Sequence, residues 1–195
     1  RQGRPAEAEP FYREAMERSQ RINGDDHWQT LLYKSNLGYL LASIGRIEEG
    51  GDITLQVLEK RRRLFGDTHG DTLQSVHNAG VLMVARGEAQ KAEAYFREAM
   101  EGRLAMHDAS HWSVLQSVDE LSKLMIAQGR FTEAEALVLE AQRSVAESAD
   151  APPTQKAARA SALADLYAAW DSAEPGRGHA ESAARWRNLA AEAGR

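Results

Sequence analysis

Apolar residues along the chain fall three and four apart rather than two apart, and small residues recur among them at fixed places. Leu37-Gly38 with Leu41, Ala79-Gly80 with Met83, Leu121-Ser122 with Met125 and Leu163-Ala164 with Tyr167 share one arrangement, a pair followed one turn later by a large residue. A period near 3.6 predicts helices with one buried face. A second arrangement alternates with the first: Ala8, Tyr12 and Ala15, then Ala92, Phe96 and Ala99, then Ala134, Val138 and Ala141. Gly3-Arg4, Gly45-Arg46, Gly87-Glu88 and Gly129-Arg130 precede the second kind of segment and stand 42 residues apart, and His27, His69 and His111 keep the same step of 42. Two independent markers with one period predict a repeat made of helical hairpins. Helix A runs from about the histidine to just before the glycine. Helix B takes the next stretch of about 17 residues, a rise of roughly 25 Å.

The ends of these helices are expected from the usual capping rules. Asp26, Thr68 and Ser110 precede the histidines and are able to cap helix A, and Thr68 with Asp71 has the spacing of a capping box. Each isolated glycine suits the left-handed residue that ends a helix, and Phe65-Gly66-Asp67 closes a unit. The expected organisation is a single array over residues 1–195. A leading half unit, helix B alone, occupies 4–22; full units follow at 27–66, 69–108 and 111–149, and an irregular closing unit at 154–193. This makes an all-α, right-handed solenoid of about nine helices.

The pair-then-large pattern on helix A and Ala-x-x-x-Phe-x-x-Ala on helix B resemble the tetratricopeptide repeat over nearly the whole chain. The 42-residue period and the run Phe65-Gly66-Asp67-Thr68-His69-Gly70-Asp71-Thr72-Leu73 are similar to the longer repeats of kinesin light chains and of bacterial and fungal multidomain regulators. Residues 166–176, containing Tyr167, Trp170 and Pro175, are similar to the ends of arrays attached to bacterial serine/threonine kinases. Some positions depart from the family pattern. Gly50, Gly51 and Thr54 stand where it has alanine and an aromatic, which predicts a softer helix B there. Trp28, Gly70 and Trp112 replace a frequent proline after the histidine, and extra residues between Asp171 and Gly178, with Ala151-Pro152-Pro153 ahead, make the last unit irregular. Because the first unit is half a unit, the chain is expected to be cut from something longer. Phe11, Tyr12 and Met16 of that helix would then leave an apolar edge able to drive self-association.

Composition narrows the function. Thirty-three alanines against five prolines favour helix, and 24 Lys and Arg against 29 Asp and Glu give a net charge of −5, which disfavours nonspecific binding to nucleic acid. The absence of cysteine removes disulfides, thiolate nucleophiles and Cys-based zinc sites, so a reduced cytoplasm is the expected compartment. Apolar runs such as Val81 to Ala85 are far below the roughly 18 residues that span a bilayer, and no secretory leader is visible, so no membrane role is expected.

No chemistry emerges from the polar residues. Histidines one repeat apart are about 10 Å from one another, too far for one ion, and are expected to pack the start of helix A. His107 and His111 flank a predicted turn, Asp25-Asp26 and Glu48-Glu49 sit where caps belong, and the glycines form no phosphate loop; no metal, cofactor or catalytic residue is expected. Lys60-Arg61-Arg62-Arg63 reads as a solvated helix C-terminus. What packing leaves unexplained is one face of helix A: Ser35, Asn36 and Tyr39, then His77, Asn78 and Val81, then Asp119, Glu120 and Lys123, with Asp165 beyond. The family resemblance implies that this face lines the concave groove, with Asn36 and Asn78 at the place of an asparagine that holds a ligand backbone. Glu120 replaces it in the third unit and implies a basic residue in the ligand. The expected function is a non-catalytic scaffold for a peptide segment or partner domain. The alternatives are a regulatory or targeting module of a larger signalling enzyme such as a bacterial serine/threonine kinase, and a self-association module.

Overall fold

The computed structural model describes residues 5–194, and these form nine helices: α1 Pro5–Asn23, α2 Trp28–Ser43, α3 Ile47–Phe65, α4 Gly70–Ala85, α5 Ala89–Leu104, α6 Trp112–Ala127, α7 Phe131–Glu147, α8 Pro153–Ala173 and α9 His179–Ala193. The marker Gly3-Arg4 and the first residue of the half unit lie outside the described residues. Helix A of each unit is α2, α4, α6 and α8; α1 and the odd-numbered helices after it are of the B kind. Contacts divide the chain into two compact units, Arg1–Gly102 and Arg103–Arg195. In the first, α1 packs on α2, α2 on α3 and α3 on α4, while α2 also touches α4. In the second, α6 packs on α7, α7 on α8 and α8 on α9, while α6 also touches α8.

Three of the A helices, α2, α4 and α6, begin at the histidine rather than at the residue before it. His27, His69 and His111 are themselves the N-caps, extended in backbone, and each ring Nδ1 accepts from the amide two residues on: Gln29 at 3.3 Å, Asp71 at 3.2 Å and Ser113 at 3.3 Å. The expected caps Asp26, Thr68 and Ser110 are thus displaced by one position, and the Thr68–Asp71 capping box falls with them. An imidazole nitrogen does here what a serine or aspartate oxygen does elsewhere. The far ends follow the expected rule. Gly45, Gly87 and Gly129 have φ of 87°, 74° and 73°, and the amides after them reach back to Leu41, Met83 and Met125 carbonyls at 2.9, 2.8 and 2.9 Å. That is the six-to-one bond of a Schellman stop.

Within the first unit Phe96 of α5 lies fully buried on Gly80 of α4, where a Cβ would stand 2.5 Å from the ring. The equivalent crossing of α2 and α3 has glycine on both sides. A Cβ on Gly50 would stand 2.5 Å from the Gly38 carbonyl and 2.7 Å from the Ala42 amide, while Thr54 closes the gap by donating to the Gly50 carbonyl at 2.8 Å. α3 runs unbroken through Gly50 and Gly51, both buried, so the glycines serve a backbone-to-backbone approach. In the second unit Leu121, Val138, Val145, Leu163 and Leu166 form the core. Tyr167, expected inside with them, is half-buried and donates its hydroxyl to Glu135.

Candidate functional site

The A-helix face of the first unit is built by α2 and α4. Trp28, Leu32, Asn36 and Tyr39 follow one another at spacings of four, four and three along α2, so they share a side, and all four are exposed, Tyr39 at 56%. Asn36 has no side-chain partner among the described residues, which leaves its whole amide available. Asn78 differs, although it occupies the equivalent place on α4. It accepts from Gln74 at 3.0 Å and donates to buried Ser35 on α2 at 3.2 Å, so its amide ties one A helix to the next. Val81 is half-buried beside it. His77 is not on the face: only 3% exposed, it sits with its ring centroid 5.5 Å from that of Phe96. The Leu-Gly register places it one helical step too far round, toward α5.

The corresponding face of the second unit belongs to α6 and α8. Asp119 is held in a two-pronged ion pair by Arg159, whose nitrogens lie 2.5 and 2.8 Å from the two carboxylate oxygens, and Lys123 pairs with Glu120 at 2.7 Å. Asp165, on α8, is exposed. The acidic surplus expected here from Asp119 and Glu120 against Lys123 alone is therefore closed by a residue from the next repeat, and with it goes the ground for a basic ligand. Arg159 is 6% exposed. Asp119 and Arg159 help line a pocket of about 450 Å³ together with Trp112, Gln116, Pro152 and Gln155.

In the basic run at the end of α3, Arg63 is exposed as expected while Arg61 is buried, and the surface cations are paired. Lys60 bonds Asp25 and, at 2.7 Å, Asp26; Arg63 reaches Asp26 at 2.9 Å; Arg62 pairs with Glu98 and with Asp67 at 3.2 Å. Lys34 and Lys60 bonded to Asp25 hold its carboxyl below the usual range, and Lys60 does the same for Asp26. Arg61 is buried and donates to the Asp71 carbonyl at 3.1 Å and to Ser75 at 2.8 Å. Arg103, 42 residues on, repeats the device on Ser113 and Ser117 at 2.8 and 2.7 Å, and burial pushes its guanidinium down to about 10. These buried arginines carry no mark in composition. They could be found only by laying Arg61 over Arg103 and Ser75 over Ser117.

On α1, Phe11 is 72% exposed and Ile22, about three turns further along, is exposed as well, whereas Tyr12 and Met16 are half-buried. No group of three or more His, Asp or Glu side chains among the described residues is placed to hold a metal ion, and no described helix is long and apolar enough to cross a membrane. His107 and His111 stack face to face with centroids 3.8 Å apart.

A model of the tetratricopeptide repeat matches residues 29–105, and a second model of the same repeat matches residues 1–29. The chain belongs to the tetratricopeptide repeat (TPR) family. Among solved structures, the TPR fold is matched by the nearly identical TPR-like repeats of a kinesin-light-chain candidate from Podosopora anserina. A point-substituted form of those repeats gives a TM-score of 0.80 at 20% identity, covering 97% of this chain and 88% of that one. A second structure of the same repeats gives 0.78 at 19% identity over 98% and 87%. BtubC (BKLC) from P. vanneervenii gives 0.75 at 19% identity over 95% and 74%. No curated protein matches the sequence. The fold class is thus the all-helical TPR solenoid, and TPR arrays are scaffolds for protein–protein interaction.

Proposed function

We propose that the A-helix faces of this TPR chain hold an extended peptide segment of a protein partner, and that the chain does so without a reaction of its own. The observation that carries this reading is the exposed line Trp28, Leu32, Asn36 and Tyr39 on α2. Three large apolar side chains facing solvent on one helix side are costly to leave uncovered, and a partnerless amide among them supplies a donor and an acceptor for a passing backbone. Asn78, Ser35 and Gln74 on the adjoining surface keep α2 and α4 in register under that line, and Val81 widens it. In the second unit Glu120, Lys123 and Asp165 form the polar rim of the equivalent face. A peptide array probed with the full chain tests the proposal. Peptides retained by the wild type should lose affinity by about tenfold or more in Tyr39→Ala, because exposed aromatics dominate such contacts. Asn36→Ala should cost about fivefold or more, from an unpaired backbone group. Retention unchanged in both variants would remove the face from consideration.

A second reading, self-association, is favoured by Phe11 and Ile22, which border a pocket of about 400 Å³ on α1 and α2. Light scattering should then show a concentration-dependent mass that Phe11→Ser abolishes.

A further inference from the structure

We infer that the groove between α1 and α2 receives an arginine side chain of a partner protein. The repeat itself identifies the occupant. Arg61 lies in the corresponding groove between α3 and α4, 2% exposed, and donates to the Asp71 carbonyl at 3.1 Å and to Ser75 at 2.8 Å. Arg103, 4% exposed, makes the same two bonds to the Ser113 carbonyl and Ser117. One step of 42 residues before Arg61 the chain has Ser19, too short to reach across, with its hydroxyl bonded to Thr30 at 2.9 Å. The first groove thus lacks the arginine that fills its counterparts. A cavity of about 400 Å³ is found there, lined in part by Ser19, Gln29 and Tyr33, which are the counterparts of Arg61, Asp71 and Ser75. That volume falls in the range of roughly 300 to 1,000 Å³ typical of ligand pockets.

The donor is gone, but its acceptors persist. The Gln29 carbonyl stands at the place of the Asp71 and Ser113 carbonyls, and a helix carbonyl keeps a second lone pair. Tyr33 stands where Ser75 does, so a hydroxyl is kept on a longer stem, and it makes no hydrogen bond among the described residues. Glu14 lines the cavity without an ion pair among the described residues, and Phe11 beside it is 72% exposed. Arg18 also lines the cavity but is exposed, so it does not take the place of the missing side chain. A guanidinium brings five donors on a flat plane that stacks on an aromatic ring, whereas an ammonium brings three and no plane. A carboxylate would meet the Glu14 charge and the oxygens of Gln29 and Tyr33. The site uses the α1 side of α2 rather than the line Trp28, Leu32, Asn36 and Tyr39, so it stands independently of the peptide-binding reading.

The test titrates the full nitrogen-15-labelled chain with N-acetyl-arginine N-methylamide and with its lysine and citrulline counterparts, following the amide shifts of Ser19, Asn23 and Tyr33. The arginine compound should saturate these shifts with an affinity about fivefold or more above each of the others, and raising salt should weaken it. Tyr33→Phe and Glu14→Gln should each weaken it by about threefold to fivefold. Ser19→Arg combined with Tyr33→Ser rebuilds the arrangement of Arg61 on Ser75 and should abolish the shifts while raising the melting temperature. Circular dichroism of each variant confirms intact helix. Arginine binding that survives the double substitution in a helical chain overturns the inference, and so does equal or tighter binding of the lysine or citrulline compound. Should the double variant fail to fold, unchanged binding in both Tyr33→Phe and Glu14→Gln overturns it instead. Free L-arginine binding more tightly than the capped compound would make the occupant a small molecule and overturn the protein source. Light scattering that shows a dimer dissolved by Ser19→Arg would assign the arginine to a second copy and overturn it as well. Absence of any saturable shift overturns the site, and the array experiment judges the peptide-binding reading separately.

Discussion

A histidine at an N-cap is an unusual choice, and its use three times at a step of 42 residues makes it a property of this repeat rather than of one helix. The ring accepts through Nδ1 only when that nitrogen carries no proton, so asparagine, with a fixed acceptor at similar reach, is the natural substitute. His69→Ala should lower stability by about 1 kcal/mol in urea unfolding, and His69→Asn should recover most of it. Equal losses in the two variants would show that the ring packs on Phe65, whose centroid lies 4.9 Å away, more than it caps. A second residue reports through its own ionisation. Burial and the bond to Glu135 raise the Tyr167 hydroxyl from 10.0 to about 12. The folded state thus prefers the neutral phenol, so this group's contribution is whole below pH 10.0, the ordinary value, and drains away as pH climbs from there toward about 12. Absorbance titration of the phenolates should show one of the five tyrosines ionising late, and Tyr167→Phe should remove that late step.

Among the helices, α3 separates two glycines that look alike in sequence. A Cβ on Gly50 would meet backbone atoms of α2 that cannot yield, whereas a Cβ on Gly51 would meet only side chains of α4 and its C-cap, the Arg86 guanidinium at 2.7 Å, paired with Glu48, and buried Leu82 at 3.1 Å. Gly50→Ala should therefore cost about 2 kcal/mol or more from overpacking. Gly51→Ala should cost less than about 1 kcal/mol, because helix propensity offsets part of the displacement of two side chains. Thermal melts of the two single variants check the contrast, and equal losses would mean that α2 and α3 are free to separate. Helix existence was legible in the sequence because each helix shows its periodicity within a dozen residues. The purpose of Gly50 and Gly51 was not, since a close approach is decided by the partner helix. The same limit explains the candidate site. Asn36 and Tyr39 are exposed as their positions on the helix imply, but Asn78 and Asp119 are engaged by Ser35 and Arg159, about one repeat away in the chain. His77 was assigned to the wrong side by one residue of helical rotation.

For the molecule as a whole, the repeat made the TPR family readable, whereas charge totals are silent on how charges pair. The count of −5 and the run Lys60 to Arg63 describe a surface whose cations are largely spoken for by carboxylates from other helices or buried against serines. What the period conceals is that its copies are built differently inside. One hairpin seats an aromatic ring on a single glycine, Phe96 on Gly80, and its predecessor brings two main chains together at Gly38 and Gly50 with Thr54 between them. The hairpin is consequently the smallest exchangeable part. Recombination that joins α2 to α5 would drive a phenylalanine into a seam sized for a hydroxyl, and joining α4 to α3 would leave the seat of that ring empty. Lineages that lengthen or shorten such an array by gene duplication should break and rejoin in the turns before His27, His69 and His111, never in those around Gly45 or Gly87.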